Sequence, residues 1–102
     1  MTEVEMPAAT DAVSQNMVVL VKGIACALVD SPESVSVEAF ADGDGTLLRL
    51  RVAPTDVGKV IGKQGRTARS MRTILSAASM KMKHRFALDI VEEDEDPSEL
   101  AS

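Results

Sequence analysis

The stretch VGKVIGKQGRTARSMR, residues 57–72, is the most informative part of this chain. It contains five Lys and Arg residues and no acidic residue, although the whole chain carries a formal net charge of −5. At its centre, Gly62 and Gly65 bracket Lys63 and Gln64. Because glycine has no side chain, such a pair permits a sharp turn and a close approach of another molecule to the backbone. The stretch therefore predicts a glycine-bracketed turn surrounded by positive charge.

The positive charge extends beyond this stretch. Residues 57–88 contain eight Lys and Arg residues, one His and no acid, whereas all sixteen Asp and Glu residues lie outside this range. Net charge is therefore a poor guide to partners, because local positive potential is what attracts polyanions, and it decays over about 8 to 10 Å in physiological salt. The alternative interpretation is a solvated helix face without a ligand.

The overall composition indicates one small domain. The chain has 102 residues, of which 45% are apolar and only 2% are aromatic, so the core must be built from aliphatic side chains. The apolar runs are too short for a bilayer span, which predicts no membrane insertion. A single cysteine, Cys26, excludes an intramolecular disulfide. Together these features predict a cytoplasmic protein.

Hydrophobic periodicity predicts six elements in an α+β arrangement. They are a helix over residues 14–29, strands over 35–41 and 46–52, a short helix over 57–61, a helix over 66–79 and a strand over 85–91. The turn at residues 42–45, Asp-Gly-Asp-Gly, predicts a hairpin between the first two strands. We expect a leader over residues 1–13 and an acidic tail over 93–102 to be disordered, with one domain over 14–92 between them.

The same periodicity predicts which side chains face the core. Helix 14–29 is expected to bury Met17, Leu20, Val21, Ile24 and Leu28, and helix 66–79 to bury Ala68, Met71, Ile74, Leu75 and Ala78. Strand 46–52 places Leu48, Leu50 and Val52 on one face, and Arg49 and Arg51 on the other. This pattern predicts a three-stranded mixed sheet with helices on one face and water on the other.

The motif VIGKQG, set between two helices and after a hairpin, resembles the G-x-x-G loop of a KH domain, which clamps about four nucleotides by their backbone. The element order resembles the type II KH arrangement. RVAPTDVGKVIGKQGRTARSMRTIL is also similar to KhpA, a family of small bacterial single-domain KH proteins. This resemblance implies a single-stranded RNA-binding protein, namely an RNA chaperone or post-transcriptional regulator in cell-wall (peptidoglycan) homeostasis and cell-length control. It also implies self-association and a larger KH partner, KhpB, also called Jag.

The resemblance also implies roles for particular residues. Gly62, Lys63, Gln64 and Gly65 would hold the nucleic acid backbone, and Lys59, Arg66 and Arg69 would add charge against phosphates. Bases would lie against aliphatic side chains, namely Val57, Val60, Ile61 and residues of the second strand. For each of these aliphatic residues, plain core packing is the alternative. A rival function is a protein-interaction subunit whose helix pair forms a dimer surface.

The sequence motifs do not match a nucleotide-phosphate loop, a calcium loop or a metal site. Gly58 to Gln64 is one residue too short for a phosphate-binding loop, and Gln64 stands where Ser or Thr is needed for Mg²⁺. The Asp-Gly-Asp-Gly turn lacks the further ligands of a calcium loop. His84 and Cys26 are far apart in sequence and make no metal site by themselves. The sequence thus predicts no enzyme, no cofactor and no metal.

Overall fold

The computed structural model describes residues 11–92. Its helices and strands, in chain order, are α1 (Ala12–Leu28), β1 (Ser36–Asp42), β2 (Gly45–Val52), α2 (Val57–Ile61), α3 (Arg66–Met82) and β3 (Phe86–Glu92). This is the predicted α-β-β-α-α-β order, and the α+β fold class is confirmed. The predicted leader and tail fall largely outside the described residues. Within that part of the chain, no helix is both long and apolar enough to cross a membrane.

Local signals explain where the helices begin and end. Helix α1 begins after Asp11, whose carboxylate accepts a hydrogen bond from the amide of Ser14 at 3.1 Å. The helix ends before Ser31-Pro32, as predicted. Helix α3 continues to Met82, three residues past the predicted end, because nothing before Lys83 interrupts it. Lys83 then takes a left-handed conformation with φ of 54° and closes the helix.

The three strands form one mixed sheet in the order β1-β2-β3. Strands β1 and β2 pair antiparallel through the predicted hairpin, with Asp42 opposite Gly45. Strand β3 returns after α2 and α3 and pairs parallel with β2, with Leu88 opposite Leu48. The central strand is therefore β2, and β3 forms the sheet edge that the last two helices cover.

The core lies between the sheet and the helices. Its buried apolar side chains are Met17, Val21, Ala25, Val35, Ala39, Leu48, Leu50, Val52, Val60, Met71, Leu75, Phe86 and Leu88. The opposite sheet face carries Arg49 and Arg51, as predicted. Arg49 pairs with Asp89 at 3.3 Å and lies 5.1 Å from the centre of the Phe40 ring, and Arg51 pairs with Glu38 at 3.4 Å. These cations are therefore already matched by acids on the same face.

Two predicted helix faces are rotated relative to the structure. Leu20 and Leu28 of α1 are exposed, and the buried stripe instead runs through Ser14, Met17, Val21 and Ala25. Ser14 can be buried although it is polar, because its hydroxyl has a hydrogen-bond partner. The hydroxyls of Ser14 and Thr46 are hydrogen-bonded at 3.1 Å, and the Thr46 hydroxyl is also hydrogen-bonded to Nε2 of His84 at 2.7 Å.

The second correction concerns α3. Ile74, predicted to face the core, is 46% exposed, whereas its neighbour Leu75 is 2% exposed. Both are apolar, so composition alone does not decide between them. The packing of Met71 and Leu75 against the sheet sets the rotation of the helix and leaves Ile74 outside.

Candidate functional site

The glycine-bracketed turn forms a tight loop between α2 and α3. Gly62 ends α2 with φ of 80° and ψ of 169°, and Gly65 precedes α3 with φ of 74° and ψ of 14°. Between them Gln64 also has a positive φ, 57°. The amide of Gly62 donates to the carbonyl of Gly58 at 2.8 Å, and that of Gly65 to the carbonyl of Gly62 at 3.0 Å. Three residues with positive φ in four positions turn the chain abruptly and leave the side chains of Lys63 and Gln64 exposed.

The two glycines are needed for different reasons. A Cβ atom on Gly62 would collide with the side chain and the amide nitrogen of Thr67. A Cβ atom on Gly65 would meet nothing within 4 Å, because that side of Gly65 faces open space. Gly62 is therefore needed so that Thr67 can pack against the loop, whereas Gly65 leaves the surface of the loop open at its position.

Gly65 also lines a groove of about 530 Å³. The residues that line it are Ile61, Gly65, Ala68, Arg69, Arg72, Asp89 and Ile90. Its floor is aliphatic, formed by Ile61 of α2, Ala68 of α3 and Ile90 of β3. The groove thus combines the glycine turn, an aliphatic floor, arginines of α3 and one carboxylate, that of Asp89, which pairs with Arg49 at 3.3 Å.

The cations around the loop and groove are available to a ligand. Lys63, Arg66 and Arg69 are exposed, and none of them forms an ion pair with a carboxylate among residues 11–92. Within the described residues, the Arg66 guanidinium donates to the side-chain oxygen of Gln64 at 3.2 Å. Arg72 donates to the carbonyl of Leu88 at 3.2 Å, which holds its guanidinium at the edge of β3. We call Lys63, Arg66 and Arg69 the cationic rim, because within residues 11–92 none of the three has a carboxylate partner at ion-pair distance.

Lys59 has a different environment from the other predicted cations. Its ammonium lies 3.3 Å from a carboxylate oxygen of Asp30 and 3.4 Å from one of Asp56. Asp56 is only 1% exposed and accepts hydrogen bonds from the amides of Asp30 at 3.2 Å and Ser31 at 3.0 Å. Lys59 is therefore paired with two carboxylates, unlike Lys63, Arg66 and Arg69.

These contacts shift the pKa values of both partners. Burial acts to raise the pKa of Asp56, but the two amide hydrogen bonds and Lys59 outweigh it and hold the pKa below its ordinary value of 3.8. The carboxylates of Asp30 and then Asp56 raise the pKa of Lys59 above 10.5. Both groups are therefore charged at neutral pH.

The predicted aliphatic contacts divide into two groups. Ile61 lies on the groove floor, but Val60 is 0% exposed and packs in the core, so its side chain offers no surface to a base. Val57 is half-buried and also packs against the core. The strand that borders the groove is β3, not the second strand, because β2 is central and its helix-facing residues are fully covered.

Arg72 and Ile90 are lining residues that the sequence pattern did not identify. Arg72 follows Arg69 by three positions, so both side chains lie on neighbouring parts of one helix surface. This spacing could have predicted that Arg72 lies beside Arg69 in the site. Ile90 had no such signal, because its place in the groove depends on the pairing of β3 with β2. Within the described residues, no cluster of three His, Cys, Asp or Glu side chains is placed to hold a metal ion.

Comparison with protein-family models matches residues 19–90 to the family described as KhpA/KhpB, KH domain. The chain belongs to this family. This KH domain is 50% identical over 76 residues to the RNA-binding protein KhpA of Halalkalibacterium halodurans, covering 74% of this chain and 100% of the relative. It is 51% identical over 74 residues to the RNA-binding protein KhpA of Treponema pallidum, covering 72% of this chain and 91% of the relative.

Solved structures agree on the fold of this KH domain. Era of Aquifex aeolicus bound to GDP and aluminium fluoride matches 82% of the chain with a TM-score of 0.54 and 12% identity. A second structure, Era in complex with MgGDPNP and nucleotides 1506–1542 of 16S ribosomal RNA, matches 90% of the chain with a TM-score of 0.54 and 13% identity. The chain spans only 32% and 35% of those two proteins. At this identity the likeness concerns the fold alone.

Proposed function

We propose that this KH domain binds single-stranded RNA, with the loop at residues 62–65 holding the backbone and the groove taking the bases. The observation that carries the proposal is the juxtaposition of the open side of Gly65, the uncompensated cations of the rim and the aliphatic groove. Membership of a family whose relatives are named RNA-binding proteins supports it.

The chemistry of the groove suits an extended strand better than a duplex. Lys63, Arg66 and Arg69 lie near the loop and can neutralise phosphates on one side of a strand. The floor of Ile61, Ala68 and Ile90 offers an apolar surface to base faces, and no aromatic ring lines it. Bases must be unpaired to reach such a floor. A single domain of this size reads few nucleotides, so we expect modest affinity from one copy.

The family resemblance supports a finer proposal for the biological role. The chain would act in the cytoplasm as an RNA chaperone or post-transcriptional regulator in cell-wall homeostasis and cell-length control, together with a KhpB/Jag-like partner. A second KH domain in such a partner would raise the effective affinity by avidity. Detection of a KhpB/Jag-like protein in a pull-down with the full chain, and loss of cell-length control on deletion, would test this role.

The direct test of RNA binding is a charge reversal in the loop. We expect Lys63→Asp combined with Gln64→Asp to leave the fold intact, because both side chains are exposed, and to weaken binding of a labelled single-stranded RNA by at least about tenfold, since phosphates are then repelled. The matched control, Asn16→Asp with Lys22→Asp, makes the same change in net charge on the exposed face of α1, which does not line the groove. Equal affinities of the two folded variants would overturn the loop assignment.

A second candidate function is self-association through α3. The side of this helix that faces solvent carries Ser70, Thr73, Ile74, Ala77, Met80 and Lys81, all of them exposed. Met80 is 81% exposed and Ile74 is 46% exposed, and Lys81 is the one charged residue of this set. An exposed helix face with so little charge favours contact with another protein. It supports a homodimer, or a dimer with a partner KH domain.

Sedimentation analysis tests this second candidate. If α3 is a dimer surface, Ile74→Glu should convert a dimeric wild type to monomer, whereas Val19→Glu, on the exposed face of α1, should leave the dimer intact. A wild-type protein that stays monomeric at high micromolar concentration would exclude self-association. A stable dimer in Ile74→Glu would place the interface elsewhere.

A further inference from the structure

The ion cluster of Asp30, Asp56 and Lys59 joins two segments that lie far apart in sequence. Asp56 precedes α2, and its carboxylate accepts hydrogen bonds from the backbone amides of Asp30 and Ser31. These two residues follow α1. Lys59, on α2 itself, contacts both carboxylates. The start of α2 is therefore tied to the segment after α1 by two hydrogen bonds and one ion pair, that of Lys59 with Asp30, while the pair of Lys59 with Asp56 lies within the α2 segment.

A buried carboxylate is costly unless hydrogen bonds and charges compensate it. Asp56 stands at the N-terminal flank of α2, where an Asp side chain commonly caps the helix, yet it makes no such capping bond. Its carboxylate oxygens instead accept hydrogen bonds from backbone amides of the segment after α1. This use of the side chain indicates that its contribution is to the position of α2 relative to α1.

Helix α2 needs an external anchor because it is short. Its five residues are far fewer than an independent helix requires, and only Val60 among them is fully buried. The glycine loop follows directly, and the amide of Gly62 is bonded to the carbonyl of Gly58 within α2. Any displacement of α2 is therefore passed on to Gly62 and to the rest of the loop.

We propose that Asp30, Asp56 and Lys59 form an anchor that positions the glycine loop, and that Lys59 is a positioning residue and not a phosphate contact. The statement that Lys59 does not contact phosphate rests on the proposed RNA binding, whereas the anchor itself does not. The alternative is that Lys59 leaves its two carboxylates and joins Lys63, Arg66 and Arg69 on the RNA backbone.

The salt dependence of RNA binding separates these alternatives. Each phosphate contact adds about 0.7 to the slope of log affinity against log salt for single strands. We expect Lys63→Gln, the matched control, to lower the slope by about this amount. Lys59→Gln should weaken binding about three- to tenfold at low salt and lower the slope by clearly less than Lys63→Gln does, since salt only screens the exposed ion pair of Lys59 with Asp30. The probe is a mixed-sequence RNA decamer titrated into the full chain at several KCl concentrations.

Asp30→Asn gives an outcome of opposite sign for the two alternatives. Asp30 is exposed, so this change removes one of the two carboxylates that pair with Lys59. It keeps the backbone amide of residue 30, which donates to the Asp56 carboxylate. If Lys59 contacts phosphate, releasing it should tighten RNA binding and steepen the salt slope. If it belongs to the anchor, RNA binding should weaken or stay equal. Tighter binding by Asp30→Asn, or a slope lowered as much in Lys59→Gln as in Lys63→Gln, would overturn the proposal.

Amide hydrogen exchange tests the anchor without RNA. In Lys59→Gln and Asp56→Asn, exchange at Gly62 and Gly65 should rise about tenfold relative to core amides such as that of Leu50. If Asp56→Asn does not fold, Lys59→Gln decides the question alone. Unchanged exchange at both loop glycines would refute the anchor. A wild type that binds no RNA at low salt would refute the proposed function and leave this measurement valid.

Discussion

At the residue scale, Gly62 and Gly65 are not equivalent although they share one motif. Gly62 occupies a region of φ and ψ that is nearly specific to glycine, and Thr67 fills the space where a Cβ would lie. Gly65 has an ordinary left-handed conformation with open space beside it. We expect Gly62→Ala to lower the free energy of unfolding by about 3 kcal/mol and Gly65→Ala by only about 1 kcal/mol. Urea denaturation measures both, and equal losses would contradict this distinction.

The pKa of Asp56 makes a residue-scale prediction about acid. Because this pKa is lowered in the folded state, the unfolded chain binds the proton first as pH falls. The stabilisation is therefore complete above the ordinary pKa of 3.8 and is lost as pH falls through the lower folded value. We expect Asp56→Asn to be less stable than wild type at neutral pH and to lose less stability on acidification. Urea titrations across pH measure this, and parallel curves for the two proteins would contradict it.

At the element scale, α3 presents three surfaces to three environments. Met71 and Leu75 face the core, Ala68 and Arg69 face the groove, and Ile74 faces solvent. Because the groove side and the solvent side of the helix are distinct, RNA and a protein partner need not compete for the same residues. Helix α3 is therefore the element on which both proposed functions converge.

This division predicts unequal effects of adjacent substitutions in α3. Leu75→Ala should lower the free energy of unfolding by about 3 kcal/mol, because it leaves a cavity in the core. Ile74→Ala should change the stability of the monomer by less than about 0.5 kcal/mol. Thermal or urea unfolding at low protein concentration, where no dimer forms, measures both. A large loss in Ile74→Ala under these conditions would mean that Ile74 packs inside.

The elements that local signals specify were predictable from sequence, and those that depend on distant partners were not. The alternation in β2, the Asp-Gly turn and Gly62 act within a few residues, so the element order and the hairpin were correctly predicted. The burial of Ser14 depends on Thr46 and His84, and the pairing of Lys59 depends on Asp30. No periodicity records such partners, so the sequence alone did not indicate these two contacts.

At the scale of the whole molecule, an acidic chain carries a cationic site. The exposed cations Lys63, Arg66 and Arg69 lie in the glycine loop and the first turn of α3, whereas Arg49, Arg51 and Lys59 are paired with acids. With about three phosphate contacts, log affinity for single-stranded RNA should fall against log salt with a slope of about 2. Fluorescence anisotropy over a range of KCl concentrations measures it. A flat response would favour the protein-interaction function over RNA binding.

The last prediction concerns residues 93–102, which lie outside the described part of the chain and carry five acidic residues. They follow β3 directly, and Ile90 of β3 lines the groove only two residues before that strand ends. A ten-residue segment reaches at most about 35 Å, so its carboxylates are within range of the cationic rim and can compete with phosphate. Deleting residues 93–102 should therefore tighten RNA binding at low salt, and the gain should shrink as salt screens both partners. A variant with all five acids replaced by Gln or Asn keeps the length and should match the deletion. Equal affinity of the full chain and both variants at low salt would mean that these acids do not reach the RNA site.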